Sequence, residues 1–278
     1  MAEVNTYLDI KDLNKSIGDL ILFENASLSI AERQRIGIIG RNGTGKSTLL
    51  NIISGKEGYD SGEVVFRRGI KVGFLEQSPE YIPDQTVIEA CFNNGNEKAE
   101  LIYKYMECIS ANDHSRLSEL SNSMDISDAW NYEHRIKEVL SKLNISNFHE
   151  RMGNLSGGQR KRVALANVLL TEPDMLILDE LTNHLDLQMI EWLEKYLSQQ
   201  YITLLMVTHD RYFLDRVCNK IIELDNHQFY PYQGSYSYFI EKRQQRKDAE
   251  AAEVARANNL YRRELEWMRR MPQARGHK

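Results

Sequence analysis

Hydrophobic and polar positions change their spacing along the chain, and each spacing predicts a different kind of structure. In the first 75 residues the apolar positions form short runs or alternate with polar ones, which is typical of β-strands. The run Arg35–Ile39 is almost continuously apolar before Gly40, as expected of a strand buried on both faces. The other elements predicted here are strands at 7–10, 21–23, 27–30, 64–66 and 72–75, and a helix at 48–54.

The middle of the chain has helical spacing. Residues 86–143 are rich in Glu, Ser and Asn, and their apolar residues lie three and four positions apart, which predicts helices. Beyond residue 160, predicted helices at 160–170 and 189–198 alternate with predicted strands at 175–178, 203–207 and 221–224. Such alternation predicts an α/β fold in which helices cover a mostly parallel sheet.

A long charged helix is predicted at 241–270. Its apolar positions recur every three or four residues and predict a stripe that packs on another helix, formed by Val254, Ala257, Tyr261, Leu265 and Met268. Residues 241–278 hold eleven Lys or Arg and six Asp or Glu, a net charge of +5 in a chain whose total is −5. This asymmetry is typical of an arm that faces a polyanion, although a solvated Arg-rich helix has the same composition.

The overall composition argues against several classes of protein. A net charge of −5 is unlike that of a general nucleic-acid binder. The three cysteines, Cys91, Cys108 and Cys218, have no zinc-site spacing and are expected to be free thiols in a reducing compartment. The chain has no signal-peptide pattern at its start and no apolar run near the length of about 20 residues that crosses a bilayer. We therefore expect a cytoplasmic protein without a membrane span.

Residues Gly40–Ser47 match the complete pattern of a phosphate-binding loop. Glycines let backbone N–H groups surround phosphates, and the start of the following helix adds partial positive charge. Lys46 would contact the β- and γ-phosphates of ATP, and the Ser47 hydroxyl would bind Mg²⁺. The nucleotide contacts predicted from this segment are Gly40, Arg41, Asn42, Gly43, Thr44, Gly45, Lys46, Ser47 and Thr48.

Two carboxylates follow the predicted strand at 175–178. Asp179 is a candidate ligand of Mg²⁺, and Glu180 is a candidate general base that polarises the attacking water. Alone, the pair could be a strand that meets solvent at an acidic turn. The phosphate-binding loop in the same chain favours the catalytic interpretation.

The segment Leu155–Gln159 reads LSGGQ and opens a basic helix. Ser156, Gly157, Gly158 and Gln159 at a helix start can present backbone N–H donors to an anion. Ser156 is also a good N-cap residue, so the segment could simply begin the helix. The two roles are compatible.

Together, the phosphate loop, the two carboxylates and LSGGQ resemble the ATP-binding cassette (ABC) ATPases over about residues 4–236. The resemblance implies a P-loop NTPase cassette with a β-rich N-terminal subdomain, a parallel-sheet core and a helical subdomain insertion. It implies that Gln77 contacts Mg²⁺ and that His209 contacts the γ-phosphate, so that both act with Lys46 and Glu180 in catalysis. In this family the phosphate loop of one cassette faces the LSGGQ of another, so hydrolysis would need a second cassette.

The end of the chain resembles the linker between the two cassettes of ABC-F proteins, in the Uup-like branch. Residues 261–276 carry this resemblance, with Thr182–Asp186 and His209–Leu214. It implies a ribosome-associated translation factor that acts near the exit-tRNA site, with rRNA and tRNA as partners of the C-terminal linker helix. The expected organisation is an ABC domain at 1–240, with a helical subdomain and short arm at about 86–165, and a basic linker at 241–278. Because the chain ends inside the linker motif, we expect it to be a piece of a longer protein.

Two other functions and two departures from the family pattern stay open. The chain could be the ATPase subunit of an ABC membrane transporter, or act in DNA maintenance, although no base-reading motif supports the latter. Ile17 stands where the family stacks adenine on an aromatic residue, which would relax the base preference. Leu181 replaces the proline that follows the catalytic Glu, which removes a constraint on the backbone of Glu180.

Overall fold

The computed structural model describes residues 5–75, 81–92, 95–110, 113–199 and 202–270. The strands are β1 (Thr6–Ile17), β2 (Leu20–Ala31), β3 (Arg35–Gly40), β4 (Ser61–Phe66), β5 (Val72–Leu75), β6 (Met175–Asp179), β7 (Thr203–Val207), β8 (Lys220–Asp225) and β9 (Gln228–Gln233). The α-helices are α1 (Lys46–Ile53), α2 (Val87–Phe92), α3 (Glu97–Ser110), α4 (His114–Ser127), α5 (Tyr132–Lys142), α6 (Gly157–Leu170), α7 (Leu187–Gln199), α8 (Arg211–Val217) and α9 (Tyr236–Arg270).

Two sheets form the β-structure. β2, β1 and β4 make an antiparallel sheet in that order. The larger sheet has the order β5-β6-β7-β3-β8-β9, and its strands are parallel except for β9. This is the α/β fold expected from the alternation of strands and helices, with the β-rich part at the N-terminus.

The inner strands of the larger sheet are buried on both faces. Along β6, Met175 and Ile177 face the core shared with α1 and the antiparallel sheet, whereas Leu176 and Leu178 face the core shared with the helices. Because successive side chains of a strand point to opposite faces, such a doubly buried strand is apolar at every position. This explains why its sequence reads as a continuous apolar run.

The parallel strands bring three segments to one edge of the sheet. β3 leads into the phosphate loop, β6 ends at Asp179, and β7 is followed by Thr208 and His209. These strands are neighbours in the order β6-β7-β3, so their carboxyl ends lie side by side. Ligands of open α/β sheets bind at this edge.

Helices α2 to α6 fill the region between β5 and β6, where the sequence predicts a helical subdomain. α9 begins at Tyr236 and runs without a break through residue 240, where the sequence places the domain boundary, so this boundary stays a prediction. The predicted apolar stripe of α9 is exposed at Val254, Tyr261 and Met268. Within the described part of the chain, no helix is both long and apolar enough to cross a membrane.

Candidate functional site

The phosphate loop is held by its own lysine. Lys46 is only 8% exposed, and its Nζ donates hydrogen bonds to the carbonyl oxygens of Gly40 and Arg41, each at 3.0 Å. Burial lowers the pKa of Lys46, against the opposing charges of Glu180 and Asp179. Gly45, the N-cap of α1, has a φ of 97°, and a Cβ there would lie 3.1 Å from the ring of Phe23. Both the conformation and the close packing therefore require glycine at this position.

A cavity of about 580 Å³ collects most of the nucleotide contacts predicted from the phosphate loop, together with Ile17. Its lining consists of Ile17, Leu20, Leu22, Asn42, Gly43, Gly45, Lys46, Ser47, Thr48, Glu180 and His209. Leu20 and Leu22 are not among the residues predicted from the sequence, although the alternation along β2 indicates which of its side chains share a face. Arg41 and Thr44 instead line a neighbouring cavity of about 270 Å³.

The end of β6 fits a divalent cation. Asp179 is buried, and its Oδ1 has no hydrogen-bond partner among the described residues. Burial raises the pKa of Asp179, and the charge of Glu180 adds to this, while a hydrogen bond from Ser47 and the charges of Lys46 and Lys161 oppose it. A buried carboxylate oxygen beside a hydroxyl is the hard oxygen donor set that Mg²⁺ takes. Asp179 and Ser47 are thus able to hold this ion together.

Glu180 stands in an unusual backbone conformation. Its φ of 46° and ψ of 44° lie in the left-handed region, and its N–H donates to Val207 O at 2.9 Å. A residue before proline is driven away from helical conformations, so Leu181 at the next position leaves Glu180 free to adopt this one. Its carboxylate lies between two side chains: His209 Nε2 is 3.5 Å from Oε1, and Asn183 Nδ2 is 3.5 Å from Oε2.

His209 is placed by the turn between β7 and α8. The next residue, Asp210, caps α8, because its Oδ1 accepts hydrogen bonds from the backbone N–H groups of Tyr212 and Phe213, both at 3.0 Å. Thr208 is buried and shares a hydrogen bond of 2.9 Å with Thr182. The imidazole itself is exposed and lines the cavity with Glu180.

The LSGGQ segment forms a capping box away from this cavity. Ser156 Oγ accepts from Gln159 N at 3.2 Å, and Ser156 N donates to Gln159 Oε1 at 2.9 Å. A Cβ on Gly157 or Gly158 would meet no described atom within 4 Å, so packing inside this chain does not require glycine there. None of these four residues lines the 580 Å³ cavity. Ser156 therefore has the N-cap role that the sequence allowed. The two glycines can be contacted by a molecule outside this chain.

Gln77, which was predicted to contact Mg²⁺, lies outside the described residues.

A further pair of side chains, Lys161 and His184, lies beside Asp179 and Glu180. Lys161 Nζ is 2.8 Å from His184 Nε2, and both side chains line a small cavity together with Asp179 and Glu180. Burial lowers the pKa of His184, and the charge of Lys161 lowers it further. No sequence pattern signals this contact, because it joins two separate segments of the chain.

Comparison with known proteins identifies the family of this chain. A family model described as ABC transporter matches residues 23–183, and a second model with the same description matches residues 222–278. The chain is 42% identical over 98% of its length to the uncharacterized ABC transporter ATP-binding protein YfmR of Bacillus subtilis, covering 44% of that protein. It is 36% identical over 96% of its length to the energy-dependent translational throttle protein EttA of Mycobacterium tuberculosis, covering 49% of it. The chain thus spans about half the length of the curated relatives it matches.

Solved structures support the same fold. An ATP-binding subunit of an ABC transporter superposes with a TM-score of 0.63 at 19% identity, over 82% of this chain and 90% of that one. A dimeric ATP-binding cassette in a post-hydrolysis state, bound to ADP and Pi, superposes with a TM-score of 0.60 at 26% identity, over 81% and 98%. Cassettes of this kind bind ATP. The chain belongs to the ABC transporter family and is an ATPase cassette of its ABC-F group.

Proposed function

We propose that this cassette binds ATP with Mg²⁺ and hydrolyses it as part of a cytoplasmic, ribosome-associated translation factor that acts near the exit-tRNA site. The observation that carries the proposal is α9. It continues directly from the cassette and holds nine Lys or Arg against six Asp or Glu. Relatives named translational throttle proteins support the same assignment.

The hydrolytic step follows from the residues around the cavity. ATP would lie with its phosphates on the loop Gly40–Ser47 and its base against Ile17, Leu20 and Leu22. Mg²⁺, held by Ser47 and Asp179, would neutralise charge on the β- and γ-phosphates. Glu180 would accept a proton from the water that attacks the γ-phosphorus, as the bond to the departing ADP oxygen breaks. His209, 3.5 Å from Glu180, would orient that carboxylate and face the γ-phosphate.

The site is proposed to be completed by a second cassette. Ser156–Gln159 lies away from the cavity, and its two glycines are open to approach from outside. Backbone N–H groups at the start of α6 can bind phosphate oxygens brought by a partner. The partner would use its own LSGGQ segment to close the cavity described here. This arrangement predicts weak turnover by the chain alone.

The basic helix is proposed to contact rRNA and tRNA. Arg262 and Arg263 are adjacent and exposed near the far end of α9. Exposed Arg side chains bind RNA phosphates, and such contacts weaken as salt concentration rises because counterions are released on binding. The acidic remainder of the chain makes a nonspecific attraction of the whole cassette to RNA unfavourable. Binding is therefore expected to depend on this helix.

Charge reversal on α9 tests the proposal. The double variant Arg262→Glu, Arg263→Glu, in the natural protein that carries this cassette, should lose ribosome co-sedimentation and show a smaller salt dependence. The matched control is Arg67→Glu, Arg68→Glu, an adjacent exposed pair at the end of β4. The control should bind as the unchanged protein does. Equal binding by both variants would argue against contact of α9 with RNA.

A transporter subunit is the second candidate, favoured by the name of one relative, an ABC transporter ATP-binding protein. In that case the helices between β5 and β6 would dock a permease. The two candidates differ in what the natural protein co-purifies with. Association with membranes through a permease, with no ribosome association in ATP, would favour the transporter.

A further inference from the structure

The first turns of α9 are anchored on the cassette. Phe239 is 1% exposed, and its ring packs on those of Tyr232 and Tyr236 at centroid distances of 5.1 and 5.6 Å. The backbone N–H of Ser237 donates to Asp215 Oδ1 of α8 at 2.9 Å. This contact ties α9 to the helix that follows the turn holding His209.

A buried carboxylate makes the second attachment. Glu223 of β8 is 2% exposed and forms ion pairs with two arginines of α9. Arg246 Nη2 lies 2.7 Å from Oε2, and Arg243 Nε lies 2.5 Å from Oε1 without the alignment of a hydrogen bond. Removing one partner of a buried ion pair leaves an uncompensated charge, which is strongly destabilising. The position of α9 is therefore bound to that of β8.

Arg246 is the centre of this cluster. Its Nη2 also contacts Asp225 Oδ2 at 3.0 Å, and its Nε donates to the hydroxyl of Tyr232 at 3.1 Å. Its guanidinium carbon lies 3.9 Å from the ring centroid of Tyr230. A planar guanidinium can make these hydrogen bonds and this stacking contact at once, whereas a lysine ammonium cannot.

The other side of β8 touches the phosphate loop. Ile39 and Gly40 of β3 are paired with Glu223 and Leu224. A Cβ on Gly40 would lie 2.9 Å from Leu224 O, so the two strands meet without spare room where the loop begins. Asp225 lines the 270 Å³ cavity together with residues 41–44 of the loop. Neighbouring residues of β8 thus contact α9, through Glu223 and Asp225, and the start of the loop, through Leu224.

We propose that Arg246 is a positioning residue for the phosphate loop, and that through Glu223 and Asp225 it couples ATP binding to the direction of α9. The inference requires only that the loop bind ATP, and it does not depend on the ribosome. A loop that shifts around the triphosphate displaces β8, and β8 displaces the guanidinium. By reciprocity, a force on α9 changes the affinity of the loop for ATP.

The free part of α9 amplifies such a displacement. Residues 251–264 and 266–268 are exposed, so the helix leaves the cassette after Glu250. At 1.5 Å per residue the remaining 20 residues extend about 30 Å, and a tilt of about 5° at Arg246 would move their far end by about 3 Å. A small change at the loop would then be measurable at the end of the helix.

The test compares Arg246→Met with Arg256→Met, an exposed arginine of the same helix. Spin labels at Lys195→Cys and Asn258→Cys report the tilt of α9 in this chain, with Cys108 replaced by Ser. Cys91 and Cys218 are buried, which protects both thiols from the label, and burial also raises their pKa to about 12. The ligand is the non-hydrolysable analogue AMP-PNP with Mg²⁺, and its affinity is measured by calorimetry.

The proposal predicts that AMP-PNP shifts the label distance in the unchanged chain and in Arg256→Met. Arg246→Met should lose this shift and bind AMP-PNP at least about fivefold more weakly, the lower end of typical coupling between sites. The proposal is overturned if Arg246→Met retains the distance shift or binds AMP-PNP within about twofold of the unchanged chain. It is also overturned if Arg246→Met and Arg256→Met lose the shift and the affinity equally. If Arg246→Met does not fold, Arg246→Lys keeps the charge but not the planar fork. It should lose the same shift, and a normal shift and affinity in that variant would also overturn the proposal.

Discussion

His209 Nε2 lies 3.5 Å from Glu180 Oε1, although the two residues come from turns that follow different strands. The contact exists because β6 and β7 are adjacent and parallel, so their carboxyl ends meet at one edge. Asn183 approaches the other carboxylate oxygen at 3.5 Å. The carboxylate is thereby held over the cavity that contains the phosphate loop, where a general base would be needed.

Glu180→Gln is expected to separate binding from hydrolysis. The amide keeps the size of the side chain but cannot accept a proton, so turnover with a second cassette present should fall at least about 100-fold. ATP affinity should stay within about threefold of the unchanged chain, because the phosphate contacts come from Gly40–Ser47. Phosphate release and calorimetry measure the two quantities. The control is Glu191→Gln, an exposed residue of α7, and equal turnover in both variants would remove Glu180 from the mechanism.

Asp179→Asn is expected to stabilise the chain while removing its response to Mg²⁺. Because the folded chain raises the pKa of Asp179, its ionised form costs folding free energy at every pH above the pKa of the unfolded chain. The neutral amide should raise stability at pH 7 by about 1 kcal/mol, or about 2 °C in the unfolding midpoint. It should also lose the additional stabilisation that Mg²⁺ gives in the presence of ATP. Thermal unfolding with and without Mg²⁺ measures both effects, and Asp84→Asn is the control at an exposed position. If the Asp179→Asn variant still responds to Mg²⁺, Asp179 does not bind the ion.

Ile17→Tyr is expected to tighten ATP binding. Ile17 is 54% exposed beside Leu20 and Leu22, so an aromatic ring there can stack on the base without displacing core residues. A stacking contact contributes about 0.5–1.5 kcal/mol, or about two- to tenfold in affinity. Ile21→Tyr is the matched control, because Ile21 is also exposed but lines the neighbouring cavity. If titration with ATP shows the same effect for both variants, Ile17 does not contact the base.

Ser156→Ala tests the division of the site between two cassettes. Losing the capping box should lower stability by about 1 kcal/mol. ATP binding by the chain alone should not change, because Ser156 does not line the cavity with the phosphate loop. Turnover with a second cassette should fall, since the exposed start of α6 would then be disturbed. A weaker ATP affinity of the isolated chain would show that the segment serves the site of its own cassette.

Much of the larger sheet was predictable from the sequence because its inner strands are buried on both faces and form short apolar runs. The predicted strands at 203–207 and 72–75 are confirmed as β7 and β5. β9 was not predicted, because it is an antiparallel edge strand that contains Pro231 and has exposed polar residues. The predicted strand at 7–10 is the start of a longer one, since β1 continues to Ile17 through polar residues and register shifts.

The site was predictable where its residues lie close together in the sequence. The phosphate loop, Asp179, Glu180 and His209 could be found from their motifs, and their roles stay predictions. Contacts between distant segments had no such signal: Arg246 with Glu223, and Lys161 with His184, depend on how the helices cross the sheet. A buried acid within an apolar strand, such as Glu223, is nevertheless a sign that a cation must approach it.

Ribosome co-sedimentation of the natural protein that carries this cassette, with Glu180→Gln, tests the central claim most directly. A cassette that binds ATP but cannot hydrolyse it should stay closed, so the variant should remain on ribosomes in ATP, whereas the unchanged protein dissociates after hydrolysis. The account predicts that the variant pellets with ribosomes in ATP and not in ADP. Sedimentation of both proteins at the background level, with ATP bound, would contradict a function on the ribosome.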